Sequence, residues 1–198
     1  MGKQELIRSL RQEGFAEEII SAFDKVPREK FISAQFKDYA YEDTALPIGE
    51  NQTISQPYTI AFMLSLLELK GEHKILEVGS GSGYVLALLN ALAQSSSVYG
   101  VERLKPFVKR SKSVLKDKKN ISVFNKDGTK GLKKFAPYDR ILVSASAKEI
   151  PEALLEQLAE GGVLVTPVVD AIFQIKKTPT GLIKRVFPGF AFVPLINK

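Results

Sequence analysis

The chain has 198 residues, of which 44% are hydrophobic and 25% are charged, as is typical of a globular protein with one substantial core. The absence of cysteine excludes disulfide bonds, thiolate nucleophiles and cysteine-ligated metals. The single histidine, His73, lies in a predicted turn, which disfavours a Ser-His-Asp triad and a multi-histidine metal site, so we expect no metal.

Membrane insertion and export are not indicated. No apolar stretch approaches the roughly 18 residues that would suggest a membrane-spanning helix. The first residues are charged and amphipathic rather than signal-like. We therefore expect a cytoplasmic protein without a membrane partner.

The net charge of +6 could indicate nucleic-acid binding, because lysine and arginine make phosphate contacts. The densest basic group, however, follows helical spacing beside apolar residues, as a solvated helix face does. It consists of Lys105, Lys109, Arg110, Lys112, Lys116, Lys118 and Lys119. We favour the solvated face and expect no nucleic-acid partner.

The first third of the chain predicts a helical cap. Apolar spacing indicates helices over 3–11 and 16–26, followed by a polar stretch that runs to Gln56. A third helix is predicted over 57–69. Because no repeat or low-complexity linker interrupts the chain, we predict one domain, 1–198, with an N-terminal extension (1–56) and a core (57–198).

From residue 74 onward, short β-branched runs alternate with amphipathic segments, which predicts parallel strands joined by crossover helices. Strands are expected at 74–78, 97–101, 121–125, 140–144 and 163–166, and helices at 84–93, 105–116 and 150–158. The runs at 171–177 and 182–192 predict a final antiparallel pair joined by a turn. The fold class is therefore α/β, doubly wound, with a mostly parallel seven-stranded sheet and an N-terminal helical cap.

The segment Glu-Val-Gly-Ser-Gly-Ser-Gly-Tyr at 77–84 connects the first core strand to a helix. Open α/β sheets bind ligands at this edge, where glycines allow close backbone approach and the helix offers free N–H groups. The Gly-x-Gly-x-Gly spacing differs from the dinucleotide motif, and the lysine of a P-loop is absent. A glycine turn also serves tight packing, so taken alone it leaves a cofactor site and a structural turn equally open.

Two acids at the same edge favour the cofactor site. Glu102 closes the second core strand, where a carboxylate can accept hydrogen bonds from both ribose hydroxyls, and Asp127 follows the third, where it could receive an adenine amino group. Each could instead be a helix cap or a solvated loop acid. NAD would also use Glu102, but Glu77 would repel a pyrophosphate and attract the ammonium group of adenosylmethionine.

With Glu77 to Gly83, Glu102 and Asp127-Gly128 in place, the chain resembles the class I methyltransferases, and more closely the protein-L-isoaspartate O-methyltransferases. The most specific match is Gln-Thr-Ile-Ser-Gln-Pro-Tyr at 52–58. Further matches are the segments 26–29, 40–43, 46–49, 149–151 and 192–195. The resemblance covers almost the whole chain and implies a Rossmann-like fold in which 1–56 carries a substrate-side loop and 57–198 binds the cofactor.

The resemblance implies an enzyme that moves a methyl group from S-adenosylmethionine to the free α-carboxylate of L-isoaspartyl residues in damaged proteins and peptides. S-adenosylhomocysteine is the co-product, and the chain is expected to be monomeric. The ester re-forms a succinimide, which returns part of the damaged chain to normal aspartate. A carboxylate is already ionised at neutral pH, so this reaction needs no general base, histidine or metal.

The resemblance also assigns site residues. Ser55 is implied as the catalytic residue that orients the substrate carboxylate, with Thr53, Ile54 and Gln56 shaping the loop around it. The implied cofactor-binding residues are Glu77, Gly79, Ser80, Gly81, Gly83, Tyr84, Glu102, Arg103, Asp127 and Gly128. Without the resemblance, Ser55 would be interpreted as the N-cap of the helix that begins near Pro57.

Three departures from the family pattern concern the acceptor side. Asn51 replaces a glycine before the 52–58 segment and tolerates left-handed backbone. Lys148 follows a small-residue run, and the chain passes from 167–168 through Val169 and Asp170 directly into the next strand, without a glycine-rich loop. The altered loops near Lys148 and Asp170 leave open a related methyltransferase acting on another carboxylate or small molecule. Alternatives of a different class are a non-catalytic cofactor-binding homologue and a basic RNA-binding protein on the same scaffold.

Overall fold

A seven-stranded sheet lies at the centre of the molecule, in a computed structural model that describes residues 1–196. Its strands are β3 (Lys74–Val78), β4 (Ser97–Glu102), β5 (Ile121–Asn125), β6 (Tyr138–Val143), β7 (Leu158–Val168), β8 (Ala171–Thr178) and β9 (Gly181–Pro188). Their order across the sheet is β5-β4-β3-β6-β7-β8-β9. The first five strands in this order are parallel, whereas β8 is antiparallel to β7 and β9 is antiparallel to β8. The predicted mostly parallel seven-stranded sheet is confirmed.

Helices cover the sheet and form the predicted N-terminal cap. They are α1 (Lys3–Gln12), α2 (Glu17–Lys25), α3 (Pro57–Leu66), α4 (Tyr84–Leu92), α5 (Lys105–Val114) and α6 (Glu152–Glu156). Short 3-10 segments lie at Arg28–Phe31, Ala34–Tyr39, Gly128–Lys130 and Lys133–Phe135. Within residues 1–196, none of these helices is both long and apolar enough to cross a bilayer.

The core has two apolar layers, one on each face of the sheet. Ile75 of β3 packs in the layer that contains residues of α1 to α5. Its neighbours Leu76 and Val78 pack in the other layer, with Leu154 of α6. Successive strand residues point to opposite faces, so apolar runs with both faces covered produce this doubly wound arrangement.

Strand β7 begins earlier than the sequence predicts. The expected helix over 150–158 shrinks to α6, and β7 begins at Leu158 and runs through Gly161 and Gly162. Tyr138 pairs with Leu158 but Arg140 pairs with Val163, so a bulge is inserted opposite β6. Gly161 supplies the positive φ, 73°, within this bulge.

A small hairpin was missed in the polar stretch before α3. Strands β1 (Leu46–Gly49) and β2 (Gln52–Ile54) pair antiparallel. Glu50 and Asn51 form the turn with φ of 50° and 53°, so Asn51 adopts the left-handed backbone that its side chain tolerates. The two strands are only four and three residues long, and such short strands carry little periodic signal.

The last two strands are ordered by tight turns. Strand β8 pairs with β7, and β9 forms the sheet edge because the chain reverses again at 178–181. The strand predicted over 182–192 ends at Pro188, and Gly189 follows with a φ of 92°. The residues after it leave the sheet and cross the edge that carries the glycine loop.

Val169 is the strained position of the β7–β8 turn. Its φ is 55°, although it is β-branched and 66% exposed. We expect Val169→Gly to raise the free energy of unfolding by roughly 0.5–1 kcal/mol, because relief of strain exceeds the entropy that glycine adds to the unfolded chain. Urea unfolding measures the change. Val186→Gly is the control, since Val186 is 52% exposed on ordinary strand backbone and its replacement should destabilise. An unchanged or lower stability for Val169→Gly would contradict the strain.

Candidate active site

The glycine loop leaves β3 and turns sharply into α4. Gly79, Gly81 and Gly83 have φ of 79°, 47° and 87°, a region that side chains other than glycine rarely adopt. The N–H groups of Gly79 and Ser80 donate to the carbonyl of Val101 at 2.9 and 3.1 Å, which fastens the loop to the end of β4. A Cβ on Gly83 would lie 2.9 Å from that of Ser111, so this glycine also lets α4 pack against α5.

Glu102 holds the same loop from the next strand. The side chain is buried at the end of β4. Its Oε2 accepts a hydrogen bond from the N–H of Gly81 at 2.9 Å, and its Oε1 accepts one from Leu104 at 2.8 Å. Because each carboxylate oxygen has two acceptor sites, both oxygens retain capacity for further donors such as vicinal hydroxyl groups.

Glu77 is a buried acid that forms no ion pair with any residue from 1 to 196. It is 1% exposed on β3, and its Oε1 accepts a hydrogen bond from the Ser144 hydroxyl at 2.8 Å. Its Oε2 has no hydrogen-bond partner within residues 1–196. Burial raises the pKa of Glu77 to about 8, Ser144 opposes the shift, and Glu102 adds to it. A buried carboxylate with an unpaired oxygen beside a cavity is suited to bind a positively charged ligand group.

Two adjacent cavities flank the loop, and we refer to them together as the cleft. The first includes Glu77 and Ser80 in its lining. The second includes Glu102, Arg103 and Gly128. Both share a wall made of Ile48, Thr53, Gly79, Gly81 and Ser144. The cleft therefore lies at the carboxyl ends of β3, β4 and β6, where open parallel sheets bind ligands.

Asp127 and Gly128 have separate structural roles. Asp127 caps the 3-10 turn after β5, since its Oδ1 accepts from the N–H and hydroxyl of Thr129 at 2.9 and 2.7 Å. Gly128 approaches β3 so closely that a Cβ would lie 2.6 Å from Val78. The cap that the sequence left open as an alternative is therefore present, and an adenine contact for Asp127 stays a prediction.

Tyr84, the first residue of α4, joins the cleft to the N-terminal cap. Its ring is buried, lines the first cavity and lies against Phe23 and Phe31. The guanidinium carbon of Arg28 lies 5.3 Å from the ring centroid. Tyr84 therefore packs the cap onto α4, and a direct cofactor contact stays a prediction.

Ser55 lies between this cleft and an open groove. Thr53, Ile54 and Ser55 line the first cavity. Thr53, Ser55 and Gln56 also line the open groove, and none of the described residues in its wall is charged. The segment from β2 to α3 thus brings all four predicted acceptor-side residues to the junction.

Ser55 does not cap α3. The N–H of Tyr58 in the first turn donates instead to the Oδ1 of Asp43 at 2.8 Å, and α3 begins after Gln56 without a cap from its own neighbours. Within residues 1–196 the Ser55 hydroxyl forms no hydrogen bond. The alternative that Ser55 is the helix cap is therefore wrong, and its hydroxyl remains available at the junction.

Several lining residues were missed as site residues. Ile48, Ser144 and Phe192 line the first cavity, and the segment 193–196 lines the second. This last segment is held by Ser146, whose N–H donates to the carbonyl of Val193 at 2.8 Å and whose carbonyl accepts from Leu195 at 2.7 Å. Residues 46–49 and 192–195 carried a signal, because both belong to segments that match the family.

The departures on the acceptor side have different consequences. Lys148 is exposed. The carbonyl of Asp170 accepts hydrogen bonds from Gly189 and Phe190, both at 3.0 Å. These two residues line the groove, so the short turn supports the groove wall.

The residues of the cleft fit S-adenosylmethionine. The unpaired Glu77 oxygen matches the ammonium of its amino-acid part, and the Glu102 carboxylate matches a ribose diol. Within residues 1–196, no group of three or more His, Cys, Asp and Glu side chains is placed to hold a metal ion.

Known proteins with the same sequence pattern and fold identify the family. The family model described as protein-L-isoaspartate(D-aspartate) O-methyltransferase matches residues 1–198. A protein-L-isoaspartate O-methyltransferase of Ignicoccus hospitalis is 45% identical over 99% of this chain and 98% of its own length. One from Pectobacterium atrosepticum is 45% identical over 97% of this chain and 94% of its own length.

Solved structures agree with the sequence relatives. A protein-L-isoaspartate O-methyltransferase is 27% identical with a TM-score of 0.92, over 99% of this chain and 66% of that chain. A Plasmodium falciparum chain described as a protein-L-isoaspartate O-methyltransferase, in complex with S-adenosyl-L-homocysteine, is 28% identical. Its TM-score is 0.86, and the match covers the full length of this chain and of that chain. The chain therefore belongs to the protein-L-isoaspartate(D-aspartate) O-methyltransferase family.

Proposed function

We propose that the cleft and groove catalyse methyl transfer from S-adenosylmethionine to the α-carboxylate of isoaspartyl residues in damaged proteins. The observation that carries this proposal is the position of Ser55, between a cleft with an unpaired buried carboxylate oxygen and an open groove whose described lining residues are uncharged. One side of the junction suits a small cationic cofactor. The other is open enough for a segment of polypeptide.

The cofactor, when bound, supplies an electrophilic methyl group on a sulfonium. Glu77 would hold its ammonium group and Glu102 its ribose hydroxyls. The remaining predicted contacts come from Gly79, Ser80, Gly81, Gly83, Tyr84, Arg103, Asp127 and Gly128. The buried hydroxyl of Ser80 has no hydrogen-bond partner among residues 1–196, which supports this assignment, because a buried polar atom without a partner is unfavourable until a ligand supplies one.

The acceptor residues position a nucleophile that the substrate already carries. A carboxylate is ionised at neutral pH, so the protein has only to orient it and exclude water. The Ser55 hydroxyl can donate one hydrogen bond to a carboxylate oxygen and leave the other oxygen free to attack. Ile54 and Phe192, with Thr53 on the shared wall, limit the water that reaches the reacting atoms.

Substrate selectivity tests the reaction directly. We expect transfer of label from methyl-labelled S-adenosylmethionine to an isoaspartyl peptide and none to the peptide with normal aspartate at the same position. Equal labelling of both peptides would exclude isoaspartyl selectivity. Absence of label in both, with the cofactor bound, would favour a different acceptor or a non-catalytic homologue.

Two substitutions separate cofactor binding from turnover. Glu102→Ala should weaken S-adenosylhomocysteine binding about 10- to 100-fold, because hydrogen bonds to a charged group are lost. Ser55→Ala should leave this affinity unchanged and lower kcat by about 100-fold through lost orientation. Calorimetry and the peptide assay measure the two effects. Ser65→Ala is the control, since Ser65 is exposed on α3 and its hydroxyl bonds only the carbonyl of Phe62. An unchanged kcat for Ser55→Ala would remove its proposed role.

Cofactor binding should release a proton from Glu77. Its pKa of about 8 in the free protein makes it mostly neutral at pH 7, and a bound ammonium favours the ionised form. Calorimetry of S-adenosylhomocysteine binding at pH 7, in buffers with different ionisation enthalpies, should show release of about one proton. Glu77→Gln should bind more weakly without release. The same proton count for both proteins would show that Glu77 is already ionised or does not meet the ammonium.

A further inference from the structure

The first turn of α3 is fixed by a residue far away in sequence. Asp43 lies in the polar stretch before the β1–β2 hairpin and is half-buried. Its Oδ1 accepts the N–H of Tyr58 at 2.8 Å, which is the bond expected of an N-cap residue. The serine and glutamine that directly precede α3 do not make this bond.

The second oxygen of the same carboxylate bonds the residue next to Ser55. Oδ2 of Asp43 accepts from the side-chain amide of Gln56 at 3.0 Å. Asp43 therefore contacts the chain on both sides of Pro57, which has no N–H of its own. Two hydrogen bonds across this bend fix the direction in which the preceding residue, Ser55, enters the junction.

The chain at Asp43 is connected to the start of α4 through Arg28. The next carbonyl, that of Thr44, accepts from Nη2 of Arg28 at 3.3 Å. Arg28 is fully buried and lies over the ring of Tyr84, the first residue of α4. Burial lowers the pKa of Arg28 to about 10, and Asp43 is among the groups that oppose this shift, so the guanidinium stays charged at neutral pH.

We propose that Asp43 is a positioning residue for methyl transfer, which acts through Gln56 and Tyr58 to hold the Ser55 hydroxyl at the junction of the cofactor cleft and the groove. This inference rests on the proposed role of Ser55. Asp43 lines neither the cleft cavities nor the groove, so its effect is on geometry. A displacement of about 1 Å at a reacting centre can lower a rate by a factor of 100.

The effect should appear in turnover and depend on Ser55. Asp43→Ala should lower kcat on the order of 10- to 100-fold, while S-adenosylhomocysteine affinity changes less than about threefold. The double variant Asp43→Ala, Ser55→Ala should be no slower than Ser55→Ala alone, because the positioned hydroxyl is already gone. A general loss of folding would instead lower the rates multiplicatively.

The variant Asp43→Asn tests the positioning role if Asp43→Ala destabilises α3. Its amide oxygen can still accept the Tyr58 N–H, and its amide nitrogen can donate to the Gln56 side-chain oxygen after that amide turns. We expect at least half of the kcat lost in Asp43→Ala to be recovered. Asp38→Ala is the matched control, because Asp38 is an exposed acid of the same stretch and should turn over as wild type.

The outcomes separate this inference from the proposed function. A slow Ser55→Ala with a wild-type rate for Asp43→Ala, or with multiplicative rates in the double variant, would overturn the positioning role and leave the methyl transfer intact. A wild-type rate for Ser55→Ala would overturn both the Ser55 role and the positioning through it. Non-additive rates with recovery by asparagine would support the inference.

Discussion

The carbonyl of Val101 attaches the glycine loop to the edge of the sheet that forms the cleft. Two consecutive N–H groups, from Gly79 and Ser80, donate to it, and this is possible because the glycine loop takes left-handed backbone. The loop is thereby fixed across the ends of β3 and β4, with the adjacent Glu102 bonding it from the side. The attachment holds the loop beside Glu77 near the end of β3 and Glu102 at the end of β4.

The buried carboxyl of Glu77 lowers the stability of the free protein but is suited to bind a cationic ligand group. A carboxyl buried in the central strand with one oxygen unpartnered is unfavourable for the free protein, which is why its pKa rises to about 8. A ligand that carries a cation removes this penalty when it binds, so part of the binding free energy comes from relief of an existing defect.

The N-terminal cap orders the acceptor side by long-range contacts. Arg28 lies against Tyr84 at the start of α4, and Asp43 accepts a hydrogen bond from Tyr58 at the start of α3. These contacts connect segments that are separated in the chain. The same cap contributes Ile48 through the short β1–β2 hairpin, and Ile48 lines both cavities of the cleft. The cap is therefore part of the cleft wall.

The sequence determined the alternation of strands and helices, the loop at 77–84 and its attached acids, because buried parallel strands and glycine turns have strong local signals. It also located the Ser55 segment through family resemblance. Only the tertiary structure decided that Asp43 rather than Ser55 caps α3, that β7 absorbs a bulge at Gly161, and that the segment around Phe192 closes the cleft. These features depend on pairings between distant residues, whose hydrogen bonds and packing override local propensity.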